Sequence, residues 1–141
     1  MTEERDPVAE AKALVERYLE LSMIPDPEGA RRCVAADFTI RFTGGRRFAD
    51  PAECTGFNAK RYAWVKKRPL RTDAVLDPAT GEVRVFNTGD LYGAWPDGTP
   101  FDHNRYIDTF VVRDGLIRST EVWNDSAEIL LDRHGKAEAP L

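Results

Sequence analysis

The feature that most constrains this chain is Asp114-Gly115, set between two long alternating runs, Phe101–Arg113 and Leu116–Asn124. A two-residue turn of this kind needs positive φ, which Asp and Gly tolerate, so the flanking runs are expected to pair as a β-hairpin. With no irregularity in either strand, Val112 pairs Ile117, Phe110 pairs Ser119, Asp108 pairs Glu121 and Tyr106 pairs Trp123. Side chains repeat every two residues, so these share one face. Arg105, Ile107, Thr109, Val111, Leu116, Arg118, Thr120 and Val122 take the other. Directly opposed carboxylates sit about 5 Å apart at Cβ and repel. On a buried face, desolvation and repulsion both raise a carboxyl pKa, and such a group can carry a proton near neutral pH. On a wet face each carboxylate pairs with an arginine and does nothing. A one-residue bulge in either strand separates the pair.

Asp-Pro dipeptides punctuate the rest. Asp accepts from free N–H groups at a helix start, and Pro suits the first helical position. Asp6-Pro7 is expected to open a helix whose Val8, Ala11, Leu14, Val15, Tyr18, Leu19 and Ser22 form one stripe, ended by Pro25. Asp26-Pro27 opens a short helix to about Val34. Asp50-Pro51 opens a third to about Val65. Asp77-Pro78, followed by Ala79-Thr80-Gly81, reads instead as a turn between strands Arg71–Leu76 and Glu82–Tyr92. A strand is expected at Phe38–Phe42, and a short helix at Ser126–Arg133 capped by Asn124 or Asp125. Helices first and a strand meander after predict an α+β fold, with helices on one face of an antiparallel sheet. The length, 141 residues, suits one domain, expected over 1–135 with a loose tail at 136–141.

Two cysteines, Cys33 and Cys54, make no disulfide framework and read as reduced thiols of a cytoplasmic protein. No metal-ligand spacing, phosphate loop, membrane-length apolar run or secretory signal is present in the sequence. The net charge of −4 argues against a nucleic-acid partner. Within it, Arg41 to Arg71 holds nine bases against two acids, read as a solvated basic surface or a local attraction for a small anion.

The stretch Tyr106-Ile107-Asp108-Thr109-Phe110-Val111-Val112-Arg113-Asp114-Gly115-Leu116-Ile117, after a helical first third, resembles the nuclear transport factor 2-like superfamily, which includes SnoaL-like cyclases and ketosteroid isomerases. Asn104-Arg105-Tyr106-Ile107, Ile117-Arg118 and Glu121-Val122-Trp123-Asn124, leading to a helix ending near Gly135, are most similar to the phenazine biosynthesis A/B proteins. The resemblance implies a cone-shaped α+β barrel around a deep pocket. It also implies a cofactor-free homodimer and a cyclic or aromatic small-molecule substrate. The acid/base Glu of that family falls on Glu121, and a strand histidine of the family falls at Asp108. A helix histidine of the family has no counterpart in Asn58-Ala59-Lys60-Arg61. The expected function is acid/base-assisted isomerisation, cyclisation or condensation of a ring-shaped ketone in secondary metabolism. Glu121 and Asp108 are the expected catalytic pair, and Tyr106, Trp123, Asn104, Trp64 and Phe57 the expected pocket. Two alternatives stand beside it. One is a non-catalytic binding or assembly module, with Ile107, Val111, Leu116 and Val122 at a dimer interface. The other is a hydratase or epoxide-opening enzyme using Asp108, Arg105 and Asp125.

Overall fold

A computed structural model describes residues 4–136. Among the described residues, three of the four α-helices start where the Asp-Pro pairs lie. Helix α1 (Pro7–Met23) is capped by Asp6, whose side chain accepts from the Val8 and Ala9 amides. Asp26 caps α2 (Pro27–Arg31) through the Gly29 amide, and Asp50 caps α3 (Pro51–Arg61) through Ala52. Each cap satisfies amide groups that have no partner inside the helix. The last helix, α4 (Ser126–Arg133), has Asp125 at its N-cap position without a side-chain cap bond, and the preceding Asn124 side chain accepts from the Ser126 amide.

The strands are β1 (Val34–Arg41), β2 (Arg47–Phe48), β3 (Trp64–Leu76), β4 (Val83–Ala94), β5 (Pro100–Arg113) and β6 (Leu116–Asn124). They form one open, mostly antiparallel sheet in the order β2-β1-β6-β5-β4-β3, with β1 and β6 parallel. The fold is α+β, with the helices packed against one face of a curved sheet.

Several boundaries differ from the sequence reading. Helix α3 stops at Arg61, and strand β3 begins at Trp64 rather than Arg71. The reason lies in β4, whose Gly93, Tyr92 and Leu91 pair with Val65, Lys66 and Lys67, so pairing overrides the helical look of that segment. Strand β1 likewise starts at Val34, earlier than Phe38. Of the tail expected at 136–141, residues 137–141 lie outside the described residues.

The hairpin carries the most consequential correction. The Asp114-Gly115 turn has φ of +52° and +73°, as its chemistry requires. Val112 pairs Ile117, but Val111 pairs Ser119, leaving Arg118 as an extra residue in β6. Beyond that bulge the register slips by one. Asp108 pairs Val122, Thr109 pairs Glu121, Phe110 pairs Thr120 and Tyr106 pairs Asn124. A one-residue slip moves every later side chain to the opposite face. Thr120 and Val122 therefore turn towards the helices, and Glu121 and Trp123 away from them.

The core lies between α1 and the inner sheet face. Val15, Phe38, Ile40, Val85, Phe110 and Ile117 are at most 2% exposed. Tyr18 sits on this core with its ring edge against Phe38 and Phe110. At the far end Tyr62, Trp95, Phe101 and Tyr106 form a second cluster. Gly89 lets β3 and β4 approach there. A Cβ at this position would lie 2.2 Å from the Arg68 carbonyl oxygen and 3.0 Å from the Tyr106 ring. Gly89→Ala is expected to cost about 1–3 kcal/mol, the usual penalty of forced overpacking, read as a lower midpoint in chemical unfolding.

Candidate functional site

The inner face of β5 points Tyr106, Asp108 and Phe110 at a cavity between the sheet and helices α1 and α3. Helix α1 contributes Tyr18, Leu19, Ser22 and Met23, and α3 contributes Cys54, Thr55 and Asn58. Val65 and Lys67 of β3, and Thr120, Val122 and Asn124 of β6, complete much of the wall. The cavity volume is about 80 Å³. That is room for more than one water, which needs about 10–15 Å³, and well short of the ~300–1,000 Å³ of drug-sized sites.

One charge pair dominates this mostly apolar space. Asp108 is 2% exposed, and its Oδ2 accepts a hydrogen bond from the Lys67 ammonium. The Lys67 nitrogen also lies 4.2 Å from the Tyr106 ring centroid, over its face. Burial pushes the Asp108 carboxyl pKa above the usual aspartate value, and the Lys67 charge pulls it back only in part. The second carboxyl oxygen, Oδ1, is buried with no hydrogen-bond partner among the described residues. A buried carboxylate with one anchored and one free oxygen on a cavity wall can take up or deliver a proton.

Neighbouring groups keep their protons. Burial raises the Tyr18 hydroxyl pKa above its ordinary value, and Cys54 is pushed up to about 12, mainly by burial. Cys54 is thus a thiol rather than a thiolate nucleophile at neutral pH. Tyr106 is also raised, by burial and then by the Asp108 charge. Its hydroxyl donates to Asn87 Oδ1 at 2.6 Å, and Asn87 donates in turn to Thr72 at 2.9 Å. This chain fixes the ring on which Lys67 rests.

Of the residues expected from the sequence, Asp108 and Tyr106 line the cavity. Glu121 does not join them. It stands on the outer face, half-exposed, 3.5 Å from Arg41. The Arg118 bulge separates the two carboxylates. Trp64 and Trp123 are each 49% exposed, and Trp64 packs edge-on against Tyr92. Phe57 packs against Phe42 and Phe48 under the Arg61 guanidinium, outside the cavity lining. Asn104 is fully buried and acts as a latch. It donates to Ser126 Oγ at 2.8 Å and accepts from the Asp125 amide at 2.9 Å, tying α4 to the sheet. Arg105 and Asp125 pair at 2.6 Å, on a face away from Asp108. Val122, expected at an outer interface, lines the cavity instead.

The sequence reading missed Lys67, Asn58 and Thr120. Lys67 belonged to the basic segment, whose charges disperse into separate contacts. Lys66 donates to the Met23 carbonyl at 2.7 Å, Arg68 pairs Asp102 at 2.7 Å, and Arg61 donates to Thr43 at 2.7 Å. The signal for Lys67 was its two-residue spacing from Val65, readable only once β3 is known to be a strand. Among the described residues no group of three or more His, Cys, Asp or Glu side chains is placed to hold a metal ion. No helix among them is long and apolar enough to cross a membrane.

No protein-family model matches the chain, and no curated protein matches it. Solved structures do. A nuclear transport factor 2-like protein of unknown function from Burkholderia pseudomallei superposes with a TM-score of 0.69 at 14% identity, over 86% of this chain and 95% of that one. A putative SnoaL-like polyketide cyclase from a Jannaschia species gives 0.68 at 16% identity, over 92% and 96%. Hexachlorocyclohexane dehydrochlorinase LinA-type3 from Novosphingobium barchaimii gives 0.72 at 12% identity, over 83% and 85%. The chain has the nuclear transport factor 2-like fold. At these identities the likeness is one of fold, and it leaves the chemistry to the cavity.

Proposed function

We propose that this protein is a small acid/base enzyme that moves a proton at a carbon next to a carbonyl of a cyclic substrate, with Asp108 as the proton carrier. The observation that carries the reading is the buried Asp108 carboxylate, anchored by Lys67 on one oxygen and unpartnered among the described residues on the other, in a mostly apolar cavity. Asp108 takes a proton from the carbon next to the ketone, leaving an enolate and a neutral carboxylic acid. The Lys67 ammonium beside it offsets the charge passed to the enolate oxygen. In an isomerisation the proton returns to a different carbon. In a cyclisation the enolate carbon bonds to a second carbonyl of the same substrate, and the proton goes to the new alkoxide. Both routes balance with no outside oxidant or reductant. Neighbours described as a putative polyketide cyclase and a dehydrochlorinase of a cyclohexane derivative use the same scaffold. Placement in secondary metabolism or beside the phenazine proteins, and a homodimer through outer residues such as Ile107, belong to this proposal.

Solvent deuterium exchange tests it. Wild-type protein with cyclohexanone in heavy water is expected to speed α-proton exchange above the buffer rate, followed by NMR. Exchange at the buffer rate, with the ring bound, would instead make the protein a non-catalytic binding module.

A further inference from the structure

Three residues that line this one cavity each bury a polar atom with no hydrogen-bond partner among the described residues: Asp108 Oδ1, Thr120 Oγ1 and Asn58 Oδ1. Buried polar groups are nearly always paired, so three such atoms around one small space call for an explanation. The proton transfer uses only the first. Thr120 and Asn58 have no part in it.

Their placement is specific. Thr120 pairs with Phe110, and Asp108 with Val122, so Thr120 and Asp108 are diagonal neighbours on the inner sheet face. Diagonal positions stand about 7–8 Å apart. Asn58, from α3, lines the same cavity. A molecule held with its reacting carbon at Asp108 therefore has a second part near Thr120 and Asn58. A hydroxyl fits both partners there. It accepts from the Thr120 hydroxyl and donates to the Asn58 amide oxygen. A plain carbonyl only accepts, and leaves the Asn58 oxygen unpaired. A carboxylate would bring a second negative charge into an apolar space whose one lysine is already bonded to Asp108.

We infer that Thr120 and Asn58 form a hydroxyl-recognition subsite, and that the substrate is a single-ring ketone carrying a hydroxyl remote from the reacting carbon. The inference rests on the proposed role of the cavity. The cavity volume of about 80 Å³ favours one ring over a fused system.

The test compares cyclohexanone with its derivative bearing a hydroxyl on the far ring carbon, by calorimetric titration of wild type, Thr120→Val and Asn58→Leu. Wild type is expected to bind the hydroxylated ring about tenfold or more tightly than the plain ring, the worth of a well-made hydrogen bond to a buried partner. In Thr120→Val, nearly unchanged in shape, that preference is expected to disappear while plain-ring affinity is kept. Thermal unfolding confirms that each variant is folded. Equal binding of the two rings by wild type overturns the inference, and so does a preference that survives both substitutions. If cyclohexanone still exchanges its protons under those outcomes, only the hydroxyl subsite falls. If neither ring binds wild type, the cavity reading falls with it.

Discussion

Replacing Asp108 by Asn is expected to lower the deuterium-exchange rate by about 100- to 10,000-fold, the usual worth of a positioned acid/base group. The amide keeps the size of the side chain and its place on β5, but it cannot take a proton from carbon. The substitution also leaves the Lys67 charge facing a neutral group in a site where Asp108 is 2% exposed and Lys67 is 11% exposed. A buried charge without its partner is costly, so lost activity in this variant alone could reflect lost structure. The double variant Lys67→Met/Asp108→Asn removes both charges. It is expected to fold with native near-ultraviolet circular dichroism and to be as inactive as the single variant. Exchange within threefold of wild type in either would contradict the role given to Asp108.

Lys67→Met carries the largest expected effect on stability. It leaves the Asp108 carboxylate buried without its cation, a loss of about 3–5 kcal/mol at neutral pH. The sign of the pH dependence follows from the raised pKa of Asp108 in the folded protein. A carboxyl with a folded pKa above its unfolded value binds more protons folded than unfolded between the two. Its unfavourable effect is absent below the unfolded value of about 3.9 and grows as pH rises through the folded one. Removing Lys67 removes the group that pulls that pKa down, so the window extends further upward. The variant is expected to approach wild-type stability in acid and to fall increasingly behind it as pH rises. Thermal unfolding across the pH range checks this. A deficit that does not change with pH would show that Lys67 acts through packing alone.

Much of the fold was legible because its signals are local. Asp6, Asp26 and Asp50 cap their helices through contacts within three residues. The Asp114-Gly115 turn is likewise decided by its own backbone. The site was less legible because a partner strand sets its register. The Ile117 amide donates to the Cys33 carbonyl at 2.9 Å where β1 begins to run beside β6. Arg118, the extra residue, reaches both Asp37 and Asp114 at 3.5 Å. Neither contact leaves a glycine or proline to mark the bulge. Its consequence reaches every later side chain of β6, which is why Glu121 was expected opposite Asp108 and Thr120 on the outer face. Lys67 was hidden for a related reason. In an apolar inner row, a lysine is expected only once its buried partner on β5 is known. Asp108 and Tyr106 were found because both lie on the β5 side of the bulge and kept their face.

The proton carrier proposed for this protein is the carboxylate inside the cavity and not the one across the sheet. The most direct measurement is the exchange rate of cyclohexanone in Glu121→Gln and Asp108→Asn, taken side by side with wild type. Glu121 is half-exposed beside Arg41, so its substitution is expected to leave the rate within about twofold, against the far larger fall expected for Asp108→Asn. A fall in Glu121→Gln with the rate of Asp108→Asn preserved would contradict the account and return the chemistry to the outer face.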